Sequence, residues 1–252
     1  MKKALLIIDR GSKMNEVREE LLETCNIIKK VSDYAIVEYC FLEVVPPFID
    51  QGIKTCIEKG ADSITIVPYF LYPGMKLKDA VTKTAAIISE EKIRMVVTKP
   101  LSYQPTIPKI VIDRLQYLLK DKKIDPTKNI CLLLIGHGSS DRRARDAFIY
   151  TVKSLEAIYP NVRYCFLELE PPDINEGYKN CVSLDPDYII VVPYFLHKGI
   201  HIQRDILVDL EKARENYGQR DIYISSHIGV NDSIVDLVIY LAKEAEMKSG
   251  LF

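Results

Sequence analysis

The apolar positions of this chain form short runs separated by amphipathic stretches. Residues 4–8 and 130–135 are continuous apolar segments, each ending in a turn: Asp9-Arg10-Gly11-Ser12 in the first case, Gly136-His137-Gly138-Ser139 in the second. Short runs without polar alternation read as strands buried on both faces. Helical spacing follows at about 15–31 and 142–159. Further strands are predicted at 35–42 and 162–167, at 63–70 and 188–195, and at 94–98 and 222–225, each followed by a helix. Strands alternating with helices predict parallel sheets covered on both faces.

The same order of elements occurs twice. "YCFLEVVPP" at 39–47 returns as "YCFLELEPP" at 164–172, and "VPYFL" at 67–71 returns at 192–196, both at an offset of 125. Gly52 with Gly177, and Cys56 with Cys181, keep that offset, whereas Gly11 and Gly138 of the opening turn stand 127 apart. A period this long is a domain rather than a solenoid repeat. The expected architecture is α/β, with two tandem homologous doubly wound domains and four-stranded parallel sheets. The domains are expected at 1–122 and 123–252, joined near 120–129.

Composition narrows the function classes. Among 252 residues, 34 Lys and Arg balance 35 Asp and Glu, which argues against a general nucleic-acid or membrane-surface binder. The apolar run before Asp9 is too short for a secretory signal, and no stretch approaches membrane-spanning length. The six cysteines form no C-x-x-C pair. They read as reduced core thiols, and the chain as a cytoplasmic protein.

Ligands of open α/β sheets bind beyond the carboxyl ends of the strands. In the second repeat those positions hold His137, Glu168, His197, His201 and His227, which include every histidine of the chain. In the first repeat Asp9 or Arg10 stands opposite His137, Glu43 opposite Glu168, Tyr72 opposite His197, Lys76 opposite His201, and Lys99 opposite about His227. Imidazole with carboxylate suits a divalent first-row metal, and equally suits proton transfer near neutral pH. Ser139, Ser140 and Asp141 are candidate caps for the following helix. Arg142, Arg143, Arg145, Lys198 and Arg204 are either a solvated face or a means of recognising carboxylates, with Arg10, Lys13, Lys76 and Lys78 in matching places. Tyr194 and Phe195 read as sheet packing, with ring stacking as the alternative.

"LLLIGHGSSDRRARDAF", followed after about sixty residues by "VVPYFLHKGIHIQRDI", resembles the sirohydrochlorin chelatase family, the class II chelatases of siroheme and cobalamin biosynthesis. The resemblance covers nearly the whole chain, the first repeat being a degenerate copy. It implies a chelatase-like fold and insertion of a divalent metal, with no permanently bound cofactor. The family's two histidines fall on His137 and His201, and its acid on Glu168; these are the implied metal-holding and proton-accepting residues. The family's substrate carries eight carboxylates, which gives Ser139, Arg142, Arg143, Lys198, Arg204, Arg10 and Lys76 a partner. Two-domain members usually carry the histidines in the first half, and here they lie in the second. The implied partners are sirohydrochlorin and a metal ion. The expected assembly is a monomer with internal pseudo-twofold duplication, and neither nucleic acid nor membrane is expected as a partner.

The absence of a histidine-rich tail or an added cysteine motif leans the metal toward iron over cobalt. Nickel is a further candidate. The competing class is a non-catalytic metal or tetrapyrrole carrier. Histidine phosphotransfer would want an arginine directly before the histidine, where Gly136 stands.

Overall fold

The computed structural model describes residues 2–90 and 93–250, with side chains throughout except at 88–90 and 200–203. The first repeat runs β1 (Lys3–Asp9), α1 (Asn15–Val31), β2 (Ile36–Phe41), α2 (Ile49–Glu58), β3 (Ser63–Pro68), α3 (Met75–Glu90), β4 (Arg94–Val97), α4 (Thr106–Asp121). The second runs β5 (Ile130–Gly136), α5 (Arg142–Glu156), β6 (Val162–Phe166), α6 (Ile174–Val182), β7 (Tyr188–Pro193), α7 (Ile200–Tyr217), β8 (Asp221–Ile224), α8 (Asp232–Ser249). The strands form two four-stranded sheets of order β2-β1-β3-β4 and β6-β5-β7-β8. All pairings are parallel. The expected α/β class and sheet size are those found.

Burial explains why the strands lack polar alternation. Ala4, Leu6 and Ile8 of β1 pack with Ile49, Ile53 and Cys56 of α2 and Ala80 of α3. Leu5 and Ile7 are just as buried. They point to the opposite face because side chains alternate along a strand. That face is covered by α1 and α8, which contact β2 and β3 respectively, and each other. In the second sheet Cys131, Leu133 and Ile135 pack with Ile174, Tyr178 and Cys181 of α6 and Ile206 and Leu210 of α7. All six cysteines are buried free thiols. Burial pushes the Cys25 and Cys56 thiols up to about 12, so they stay protonated and serve as small core residues.

The compact units cut the chain differently from the repeat. Unit 1 comprises Met1–Ser102 with Val230–Phe252, and unit 2 comprises Tyr103–Gly229. The helix after β4 therefore belongs to unit 2 and the helix after β8 to unit 1, so a division at 122/123 follows the repeat but separates neither unit. A buried carboxylate fixes α8 in unit 1. Glu246 Oε1 accepts hydrogen bonds of 2.6 Å from Tyr34 Oη and 2.6 Å from Thr65 Oγ1, and its Oε2 lies 3.3 Å from Lys3 Nζ. At an offset of 127 the position of Glu246 in α8 corresponds to Leu119 in α4. The Leu119 side chain can form no such polar anchor.

Candidate metal-handling site

In a sheet of order 2-1-3-4 the connections leaving the first and third strands run to opposite faces, opening a crevice at their carboxyl ends. In unit 2 that crevice lies at the ends of β5 and β7. His137 follows β5 directly and Glu168 follows β6 by two residues. The two loops are tied together by their backbones. Leu167 N donates to Gly136 O at 2.9 Å, and Glu168 N to His137 O at 3.1 Å. The contact is so close that a Cβ on Gly138, whose φ is +90°, would fall 1.8 Å from Glu168 O. Glycine is needed there both for its conformation and for its lack of a side chain.

This backbone arrangement brings His137 Nδ1 to 3.3 Å from Glu168 Oε1. Both side chains reach solvent, at 33% and 56% exposure. An imidazole whose Nδ1 faces a carboxylate has its orientation set by that group, leaving Nε2 for a metal or a proton. His201 lies in the first turn of α7, and its side chain lies outside the described residues. Among the described residues no group of three His, Cys, Asp or Glu side chains is spaced to hold a metal ion. The described part of the expected set is the pair His137–Glu168.

The surrounding residues sort as follows. Asp141 is the cap of α5 and accepts from Arg143 N at 3.0 Å, while Ser139 Oγ accepts from Asp141 N at 3.1 Å. The Arg143 guanidinium also pairs with Asp141, at 2.6 Å. Arg145 pairs with Glu170 at 3.2 Å and lies over the Phe166 ring. Arg142, Lys198 and Arg204 are exposed. Tyr194 is buried with its hydroxyl 3.1 Å from Thr151 Oγ1, as a packing residue would be. The loop holding His227 is joined to the one holding His197: Ile228 N donates to Phe195 O at 3.0 Å and Gly229 N to Leu196 O at 3.1 Å.

Unit 1 shows what the same backbone does without histidines. Leu42 N donates to Asp9 O at 2.8 Å, and Glu43 N to Arg10 O at 3.1 Å. The counterpart of His137 is therefore Arg10, and that of Gly136 is Asp9. Asp9 is buried and accepts from Gly11 N at 2.8 Å. Arg10 Nε lies 3.2 Å from Glu43 Oε1, and Lys76 Nζ lies 2.6 Å from Glu43 Oε2. The hydrogen bond from Lys76 is the main cause that lowers the Glu43 pKa; burial opposes it and Arg10 adds to it. The three positions thus converge in unit 1. Lys76, the second residue of α3, occupies the place that His201 has in α7.

Glu170 is not singled out by strand-end reasoning, yet it is built into the site. Its carboxylate accepts from Ser139 N at 3.0 Å, in the turn that carries His137, and pairs with Arg145. The signal was present in the repeated nonapeptide, where Val45 and Glu170 are the one exchange of an apolar residue for a charged one.

The CbiX family model matches residues 4–118 and again 131–245. A sirohydrochlorin ferrochelatase of Priestia megaterium is 26% identical, covering 98% of this chain and 92% of its own length. A sirohydrochlorin cobaltochelatase of the same organism is 29% identical, covering 80% of this chain and 67% of its own length. The solved structure described as SirB from Bacillus subtilis with Fe3+ superposes with a TM-score of 0.80 at 24% identity, covering 100% of this chain and 99% of that one. With two matches that together span both repeats, and a fold shared from end to end, this chain belongs to the CbiX family.

Proposed function

We propose that this protein is a sirohydrochlorin chelatase that inserts a divalent metal into the macrocycle, with Fe2+ as the metal, at His137, His201 and Glu168. The observation that carries the reading is His137 Nδ1 facing Glu168 Oε1 at 3.3 Å at the carboxyl end of the unit 2 sheet. The iron assignment is supported by the end-to-end match to a ferrochelatase, against a partial match to a cobaltochelatase.

The chemistry requires delivery of a cation to the ring nitrogens and removal of two pyrrole protons. A neutral imidazole can hold a metal or accept a proton, but not both at once, so two imidazoles divide the tasks. Glu168 orients His137 and serves as third ligand or proton relay. A small, solvent-reachable ligand set suits a metal that is a substrate and must leave, unlike the closed set of a structural zinc site. Exposed Arg142, Lys198 and Arg204, with Arg143 and Ser139 on the α5 turn, meet the substrate's carboxylates. In unit 1 Arg10 and Lys76 together exceed the charge of Glu43 by one. The protein acts as a monomer in the cytoplasm. Among the described residues no helix is long and apolar enough to cross a membrane.

The test is anaerobic absorbance of sirohydrochlorin with Fe2+, Co2+ or Ni2+, with and without protein. The expected result is accelerated loss of the free-base spectrum, fastest with Fe2+, and its abolition in His137→Ala and in His201→Ala. Binding of the macrocycle without acceleration would make the protein a carrier instead.

A further inference from the structure

We propose that Glu170 is the positioning residue that holds the His137 turn against Glu168, replacing the cations that immobilise the matching carboxylate in unit 1. The proposal rests on the reading of His137 and Glu168 as the metal-handling pair.

Both repeats present their carboxylate on the same strained backbone. Glu170 N donates to Glu168 O at 2.9 Å across Leu169, whose φ is +70°. Val45 N donates to Glu43 O at 2.9 Å across Val44, whose φ is +75°. These are γ-turns of the rare positive-φ kind, unfavourable for a branched side chain. Such a conformation persists only where its surroundings over-determine it. In unit 1 the surroundings are Arg10 and Lys76, which grip both oxygens of Glu43.

Unit 2 has no such option. Fixed cations on Glu168 would occupy the carboxylate and repel a divalent ion, so the restraint has to come from elsewhere. Glu170 supplies it from two residues further on. One oxygen takes the Ser139 amide, two residues beyond His137, and the other takes Arg145 of α5. The Glu170 side chain is only 10% exposed, which strengthens both charge-assisted bonds. Arg145 is held in turn above the Phe166 ring. Turn, γ-turn and helix are thus locked together while His137 and Glu168 themselves stay open to solvent. Val45 at the matching place in unit 1 can accept no such bond. The charged clamp occurs in the repeat with histidines and is absent from the repeat with fixed cations.

The experiment titrates the full chain with Co2+ alone, by calorimetry and by the visible absorption of the bound ion, and measures insertion kinetics. Glu170→Val installs the residue of the first repeat. It is expected to weaken Co2+ binding about 10–100-fold, as loss of a group orienting a metal ligand does elsewhere. It should raise the KM for metal more than it lowers kcat, and alter the Co2+ spectrum. Glu170→Gln retains an acceptor oxygen and should recover affinity to within roughly threefold. Wild-type affinity and spectrum in a folded Glu170→Val protein would overturn the proposal. Should that variant not fold, Arg145→Met leaves the Ser139 bond in place. It is expected to give a partial loss of affinity, and an unchanged affinity there is equally fatal. His137→Ala separates the premise from the clamp. If Co2+ binding survives that change, the site itself is misplaced. If binding is lost there but unchanged in Glu170→Val, the clamp alone fails.

Discussion

Glu43 and Glu168 sit on equivalent γ-turns, receive equivalent backbone bonds, and face different partners. Arg10 and Lys76 give the unit 1 cluster a net charge of +1 with Glu43. His137 leaves Glu168 with a net charge of −1 when the imidazole is neutral. A divalent ion is repelled from the first and attracted to the second. Permanent cations in place of imidazoles therefore give a closed ion-pair cluster on the same backbone that, in the proposed reading, elsewhere holds the metal. In unit 1 the three positions lie near one another.

The sharpest way to break the comparison is to remove the first partner in each repeat. His137→Ala should lower the insertion rate by about 100-fold or more, the scale expected when a proton-transferring or metal-holding group is lost. Arg10→Ala and Asp9→Ala should leave most of the activity. Equal losses in the two repeats, measured under one assay, would show that the first cluster takes part in the chemistry.

A second test acts on the shared backbone. Gly138→Ala would place Cβ 1.8 Å from Glu168 O, and Gly11→Ala would place it 2.2 Å from Glu43 O, at φ of +90° and +97°. Each change should destabilise its own unit by at least about 2 kcal/mol, read from denaturant unfolding. Only Gly138→Ala should also abolish insertion at temperatures where the protein remains folded. If Gly11→Ala does the same, the two turns are not functionally distinct.

The smallest effect concerns charge. Lys76→Met should raise the Glu43 pKa back toward its ordinary value, followed by carboxyl carbon NMR. Because the folded pKa of Glu43 is lowered, its ion pairs stabilise the protein above the unfolded pKa, and that contribution is lost as pH falls through the folded value. The variant should show a weaker acid dependence. An unmoved Glu43 titration would mean that Arg10 suffices.

Much of this was legible in the sequence because strands, repeats and strand-end residues follow local rules. The apolar runs gave the eight strands to within a few residues, and the rule for parallel sheets placed His137 beside Glu168. The exchange of helices was not legible. Ile107, Ile110 and Val111 of α4 and Ile234, Leu237 and Val238 of α8 are buried at equivalent positions. Such a pattern says that a helix has an apolar face but not which sheet covers it. Glu246, alone on that face, was the clue. Arg143 and Arg145 were readable as charge, but their partners Asp141 and Glu170 emerge only when the turn is folded. The side chain of His201 lies outside the described residues, so its place rests on the repeat and on Lys76.

The route of the chain sets an order of completion during synthesis. The strands of unit 1 leave the ribosome first, but Tyr34 and Thr65 meet their buried acceptor only when Glu246 of α8 emerges. Unit 2 is one uninterrupted segment, Tyr103–Gly229. It is finished while unit 1 still lacks a helix, an interval of roughly one to five seconds at ordinary elongation rates. The half that carries the histidines is thus complete before the half that begins the chain. Cutting the gene at the repeat boundary would yield two fragments, each missing the helix that its own sheet requires.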